Sequence, residues 1–129
     1  MISAENVKIS VIMPIYNAED TLRPAMDSVI DQTLCEIEII CVDDGSTDAS
    51  LSIIREYQKN DSRIRILTEV NAGPGWARNR GVERARGRYV AFLDADDFVE
   101  PTFLATLYEY GRSTSPFPKH PFLREAFYG

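Results

Sequence analysis

The chain has 129 residues, 44% of them hydrophobic and 26% charged, which fits one soluble α/β-sized domain with a real core. Its formal net charge of -6 argues against a broad electrostatic grip on nucleic acid. No apolar run is long enough to cross a bilayer, and the first residues lack the pattern of a signal peptide.

Residues 7–15 form a nearly continuous apolar run and predict a strand covered on both faces. Pro14 cannot donate to a ladder, so pairing is expected to stop there. Tyr16 and Asn17 then form a loop at the strand tip. Over residues 19–32, Leu22, Met26, Val29 and Ile30 follow helical spacing, with Pro24 near the first turn. Residues 38–42 predict a second strand, ending in Asp43 and Asp44. Ser46, Thr47 or Asp48 can cap a helix that runs to about residue 58. Residues 63–68 alternate polar and apolar and read as a half-buried strand near an edge. The turn-rich stretch from Asn71 to Gly75 leads into a third helix over residues 76–86. Ala77, Gly81 and Ala85 give it one face of small side chains, suited to close packing on a sheet. The basic residues in and just after it, Arg80, Arg84, Arg86 and Arg88, read as a solvated face, with phosphate contact as the minority reading.

Residues 89–93 predict a fourth strand, which runs into Asp94, Asp96 and Asp97. Pro101 marks the first turn of a last helix through about residue 110. Residues 111–121 are broken by Gly, Ser, Thr and Pro, and no regular element is expected there. A short helical turn is expected within residues 122–128. Residues 1–110 therefore read as one domain part and residues 111–129 as an irregular Pro- and aromatic-rich tail that need not be continuous with it. Strand and helix alternate four times, which predicts a Rossmann-like, doubly wound, mostly parallel α/β sheet with helices on both faces and right-handed crossovers. Ligands in such sheets bind at the carboxyl ends of the strands, where all four polar loops fall.

Asp94 and Asp96 are two positions apart, so in an extended stretch they point the same way. Carboxylates that close repel unless a cation lies between them, and an all-oxygen pair suits Mg²⁺ or Mn²⁺ holding a diphosphate. The competing reading is a solvated acidic turn opening a helix. Tyr16 offers an aromatic face for a base; Asp43 and Asp44 offer acceptors for a base or ribose, or else cap the second helix. Arg78 could reach a phosphate or simply be solvated. The two cysteines are not spaced as a metal or redox motif; Cys41 reads as a core thiol and the setting as reducing and cytoplasmic. The lone His120 has no partner motif for nucleophilic catalysis.

The segments Ser10–Asn17, Cys41–Asp48, Asn71–Gly73 with Ala77–Asn79, and Phe92–Asp97 together resemble the family 2 glycosyltransferases of the GT-A fold, in order and spacing. The resemblance covers about residues 7–110. It implies inverting transfer of a sugar from a nucleotide diphosphate donor, by default a UDP-sugar, to an acceptor hydroxyl, with Mg²⁺ or Mn²⁺. It implies that Pro14, Tyr16 and Asp44 contact the nucleoside, that Asp94 lies near the ribose or sugar, and that Asp96 is the direct metal ligand. The implied acceptor is a glycan or a lipid-linked sugar, the latter at the inner face of a membrane. The family's general base comes from an acceptor-binding half that follows the fourth helix. Nothing in residues 111–129 matches that half, and Glu125, the one carboxylate there, is not assigned the role. A trimmed donor half, or a segment missing between about residues 112 and 116, is the expectation. The rival class is a non-catalytic nucleotide-binding module or fragment. A dehalogenase-type phosphatase ranks low because its acidic pair follows the first strand. A Rossmann dehydrogenase is excluded by Pro14–Asn17 where GxGxxG is needed.

Overall fold

A computed structural model describes residues 6–114 and the backbone of residues 125–128. The elements alternate: β1 (Ile9–Ile15), α1 (Leu22–Ile30), β2 (Ile37–Asp43), α2 (Ser50–Asn60), β3 (Ile64–Thr68), α3 (Pro74–Arg84), β4 (Tyr89–Phe92), α4 (Phe103–Thr114) and β5 (Glu125–Tyr128). The strands form one sheet in the order β3-β2-β1-β4-β5, and every pairing is parallel. The doubly wound α/β expectation holds, and β3 is an edge strand as its alternation predicts.

The strand period of two sorts the core into layers. Ile9, Val11, Met13 and Ile15 of β1 join Ile37, Ile39 and Cys41 of β2 under α1, α2 and α4. On the opposite face Ile12, Ile40, Val42, Val90 and Phe92 meet Ala77 of α3 and Ala85, the residue that ends it. The small face of α3 permits this. A Cβ built on Gly81 would lie 2.5 Å from Ile12 Cγ2. The absence of a side chain at Gly81 therefore lets α3 lie against β1.

Pro14 does not end the ladder. β1 pairs with β2 through Ile15↔Asp43. In a parallel strand, alternate residues face alternate neighbours. The carbonyl of Ile15 accepts from Asp44 N–H, so the odd residues face β2, whereas that of Ile12 accepts from Leu93 N–H towards β4. Pro14 shares the side of Ile12, and β4 pairing has already stopped at Ile12↔Phe92. Its missing N–H thus costs no strand bond.

Two expectations about the last third fail. Helix α4 continues through Gly111 to Thr114, with Gly111 buried on its inner face. Residues 125–128 are a strand beside β4, not a helical turn. The open edge of β4 offers unpaired backbone groups, and β5 satisfies them. Residues 115–124, with most of the Pro- and aromatic-rich tail, lie outside the described residues.

The basic residues after α3 are not all a solvated face. Glu38 is almost fully buried at the amino end of β2, away from the polar loops. Its carboxylate accepts from Ser10 Oγ at 2.6 Å, from Arg86 N–H at 2.6 Å and from Arg65 at 2.7 Å. Burial pushes this carboxyl up, but the donors from Ser10, Arg86 and Arg65 outweigh it and hold it below the usual range.

Candidate functional site

The loops after β1, β2, β3 and β4 are stitched to one another at the carboxyl rim of the sheet. Asn17 takes a left-handed backbone, φ 47°, which Asn tolerates better than most residues. Its N–H donates to Ser46 Oγ at 3.0 Å, and its Oδ1 accepts from Thr47 N–H at 2.8 Å. Asp48 accepts from Ser50 N–H at 2.9 Å and from Glu19 N–H at 3.2 Å. Glu19 returns the bond by accepting from Ala49 N–H at 3.1 Å. Of the expected caps, Asp48 is therefore the one that takes the first N–H of α2. Burial pushes the Asp48 carboxyl up, and the bonds from Ser50 and Glu19 bring it below its ordinary value.

Asp44 is buried, and it caps a neighbouring turn instead of α2. Its two oxygens accept from Ala72 N–H at 2.8 Å and Gly73 N–H at 2.9 Å. Asn71 donates back to the Asp44 carbonyl at 3.2 Å. Gly45, at φ +75°, passes so close that an added Cβ would meet Asn71 N at 2.8 Å. Asp43 is also buried, and its Oδ1 has no hydrogen-bond partner among the described residues. Tyr16 is half exposed and Pro14 partly so, both at the tip of β1. β1 lies between β2 and β4, which is the point where the chain order of the sheet reverses.

The acidic stretch leaves β4 with the expected alternation: Leu93 and Ala95 are buried, Asp94 and Asp96 exposed. A turn then closes, with Asp97 N–H donating to Asp94 C=O at 3.1 Å. This turn adds Asp97 to the group. One oxygen from each of Asp94, Asp96 and Asp97 lies within 4.8 Å of the others. Six ligands at about 2.1 Å around Mg²⁺ span about 3 Å between neighbours and about 4.2 Å across. Exposed carboxylates can close that difference by side-chain rotation, so the donor set fits a hard divalent ion. Arg78, on the second turn of α3, reaches Asp94 Oδ1 at 3.4 Å, and its Nε has no hydrogen-bond partner among the described residues. Among the described residues no Lys or Arg pairs with Asp96 or Asp97. Thr21 completes the ring of loops by donating to Ala95 C=O at 3.0 Å.

The fold thus brings Pro14, Tyr16, Asp43, Asp44, Arg78, Asp94 and Asp96 to one rim. Glu125 is elsewhere: β5 pairs it with Tyr89, at the amino end of β4, the far end from the acidic turn. Sequence reasoning missed Asn17 and Glu19 as organisers of the rim. An Asn directly after a strand tip, facing a Ser-Thr-Asp loop, is the signal that pointed to this.

Residues 10–114 match Glycosyl transferase family 2. The uncharacterized glycosyltransferase YibD of Escherichia coli K12 is 53% identical over 100 residues, which is 78% of this chain and 29% of that protein. Glycosyltransferase GlyA of Streptococcus pneumoniae is 48% identical over 79% of this chain and 15% of that protein. Staphylococcus aureus TarS 1-349, solved with UDP-GlcNAc, superposes with a TM-score of 0.77 at 33% identity, covering 82% of this chain and 31% of TarS 1-349. The mannosyltransferase PcManGT of Pyrobaculum calidifontis shares the fold, with a TM-score of 0.77 at 24% identity, covering 84% of this chain and 33% of PcManGT. The chain therefore spans about a third or less of the length of these relatives. With its four motifs gathered on one rim of a parallel sheet, this chain belongs to glycosyltransferase family 2.

Proposed function

We propose that this chain is the donor-binding part of an inverting glycosyltransferase that takes a sugar from a UDP-sugar to an acceptor hydroxyl. The observation that carries the reading is the acidic turn at residues 94–97, which gathers three exposed carboxylates beside Arg78 at the sheet's switch point. The TarS likeness supports UDP as the nucleotide, since that protein was solved with UDP-GlcNAc.

Each residue then has a task. Pro14 and Tyr16 form an apolar and aromatic wall for the base. Asp43 and Asp44 lie behind it as acceptors for base or ribose donors, and the free Oδ1 of Asp43 suits a ribose hydroxyl. Arg78 turns from Asp94 to a phosphate oxygen when the donor arrives. Asp96, with Asp94, would hold Mg²⁺ or Mn²⁺, which neutralises charge on the departing diphosphate. In the transfer, the acceptor oxygen bonds the anomeric carbon, the bond from that carbon to the diphosphate breaks, and its electron pair leaves with UDP. The acceptor's proton passes to a general base, a role given to none of the described residues. A glycan or a lipid-linked sugar is the acceptor class, which would put the protein in the cytoplasm, at a membrane face for a lipid-linked acceptor. Among the described residues no helix is long and apolar enough to cross a membrane.

Calorimetry with UDP and Mn²⁺ tests the reading. Wild type should bind, and Asp96→Ala should lose at least about tenfold in affinity, as expected when a charged ligand to the ion is removed. An unchanged affinity in the variant removes the metal assignment. Binding without hydrolysis or transfer from any UDP-sugar would favour the non-catalytic module.

A further inference from the structure

Behind the turn at residues 71–73 lies an acidic side chain that the proposed transfer does not use. The Glu69 side chain is only 9% exposed, and both carboxyl oxygens are buried without a hydrogen-bond donor among the described residues. Its backbone N–H is anchored to Asp43 C=O at 3.1 Å, so the residue is fixed at the end of β3. The Glu69 carboxyl neighbours that of Asp44, whose negative charge raises its hold on a proton. The only cation near it among the described residues is Arg80, on α3, with Nε 3.9 Å from Oε1. Arg80 is shared with Glu83, which it meets at 3.4 Å. Two buried carboxyls in contact need a proton between them. Asp44 already accepts two N–H groups, so it is the acceptor, and Glu69 is left to be the donor.

We propose that Glu69 is a positioning residue of the nucleotide site: its protonated carboxyl donates to Asp44, and Asp44 so held fixes the turn at Ala72 and Gly73 against the strand tips. This rests on the reading of the rim as a nucleotide pocket. Burial and the Asp44 carboxylate both push the Glu69 carboxyl up, and Arg80 only partly opposes them. As pH rises through the raised value, the proton leaves and two adjacent carboxylates repel. Asp44 then shifts, the turn at residues 71–73 loosens, and the base wall it supports loses definition. Nucleotide affinity is therefore expected to fall as pH rises above the ordinary Glu value of about 4.3.

The test compares wild type with Glu69→Gln and Glu69→Ala. Glutamine donates an N–H to Asp44 at every pH; alanine never does. UDP binding with Mn²⁺ is measured from about pH 5 to about pH 8, above the ordinary Glu value of about 4.3. Wild type should lose about tenfold in affinity across its titration, the Gln variant should not share that loss, and the Ala variant should be weak throughout. Parallel profiles for wild type and Gln overturn the proposal. A second readout needs no nucleotide. A raised native value means that Glu69 destabilises the fold as pH climbs from its unfolded value to its native one. The Gln variant should therefore gain in Tm relative to wild type across that window and then hold its lead. A Tm difference constant with pH overturns the shared proton. A pH-dependent Tm difference with flat UDP affinity overturns the positioning role. Failure of every variant to bind UDP at any pH counts against the nucleotide pocket itself, and the Tm profile still decides whether Glu69 carries the proton.

Discussion

Gly81→Ala is the sharpest test of how the fold carries the site. The added Cβ would lie 2.5 Å from Ile12 Cγ2, and 3.2 and 3.3 Å from its Cγ1 and Cδ1. Carbon atoms prefer about 3.5–4.0 Å, so roughly 1 Å of separation must be found. Ile12 is fully buried and branched at Cβ, so it has no rotamer to escape into. The shift must come from α3 as a body. Overpacking of this kind costs about 1–3 kcal/mol. Replacing a helical Gly returns about 1 kcal/mol. The net loss is up to about 2 kcal/mol, or a Tm lower by up to roughly 10 °C in a domain of this size. Urea denaturation should show a lower midpoint with an unchanged slope. Gly75, in the first turn of the same helix, has nothing within 4 Å of an added Cβ. Gly75→Ala is thus a control that should be neutral or up to about 1 kcal/mol stabilising. Gly81→Ala as stable as Gly75→Ala would refute the close approach of α3 to β1. Because Arg78 lies one turn before Gly81, the destabilised variant should also bind the donor more weakly.

The cysteines should separate cleanly in a native alkylation experiment read by mass spectrometry. Cys35 is exposed and should label, while Cys41 is fully buried with its thiol pushed up to about 12 by that burial, and should label only after unfolding. Glu38→Gln should cost about 2–3 kcal/mol near neutral pH, because it weakens charge-assisted bonds to Arg65 and Arg86 in a buried setting. The Glu38 carboxyl is held below its unfolded value, so its contribution is complete above about pH 4.3 and disappears as pH falls through the native value. Denaturation curves of the two proteins should therefore converge in acid; a gap that persists there would refute the assignment.

What could be read in advance follows the range of the interactions involved. The first four strands, the first three helices and the small face of α3 are local patterns, and they form where periodicity places them. The alternation from Leu93 to Asp96 is equally local, and it put both carboxylates on the solvent side. Pro14 was misjudged because its missing N–H matters only on one side, and that side depends on where β4 stops. Gly111 reads as a breaker in the sequence because a helix propensity carries no information on burial. Residues 125–128 extend as a strand because β4 has an open edge, which no window of the sequence can display. Asp44 looked like a helix cap since both Asx roles use the same residue; only the arrival of residues 71–73 in space selects the other one.

The two halves of the rim differ in how their polar groups are satisfied, and the difference fits a division of labour. Around β1, β2 and β3 the side chains of Asn17, Asp44, Asp48 and Glu19 accept backbone N–H groups from neighbouring loops. Each such bond removes freedom before any ligand arrives, so this half is preorganised, as a pocket for a rigid, planar base should be. Around β4 the opposite holds. Asp94 has one long contact to Arg78, and Asp96 and Asp97 are exposed. Carboxylates that must close around a cation and a diphosphate gain from being left in water until the ion arrives, since prior pairing with Lys or Arg would have to be broken. Thr21 and Arg78 bridge the halves through one bond each. The rigid side would set which nucleotide enters, and the open side would respond to its charge.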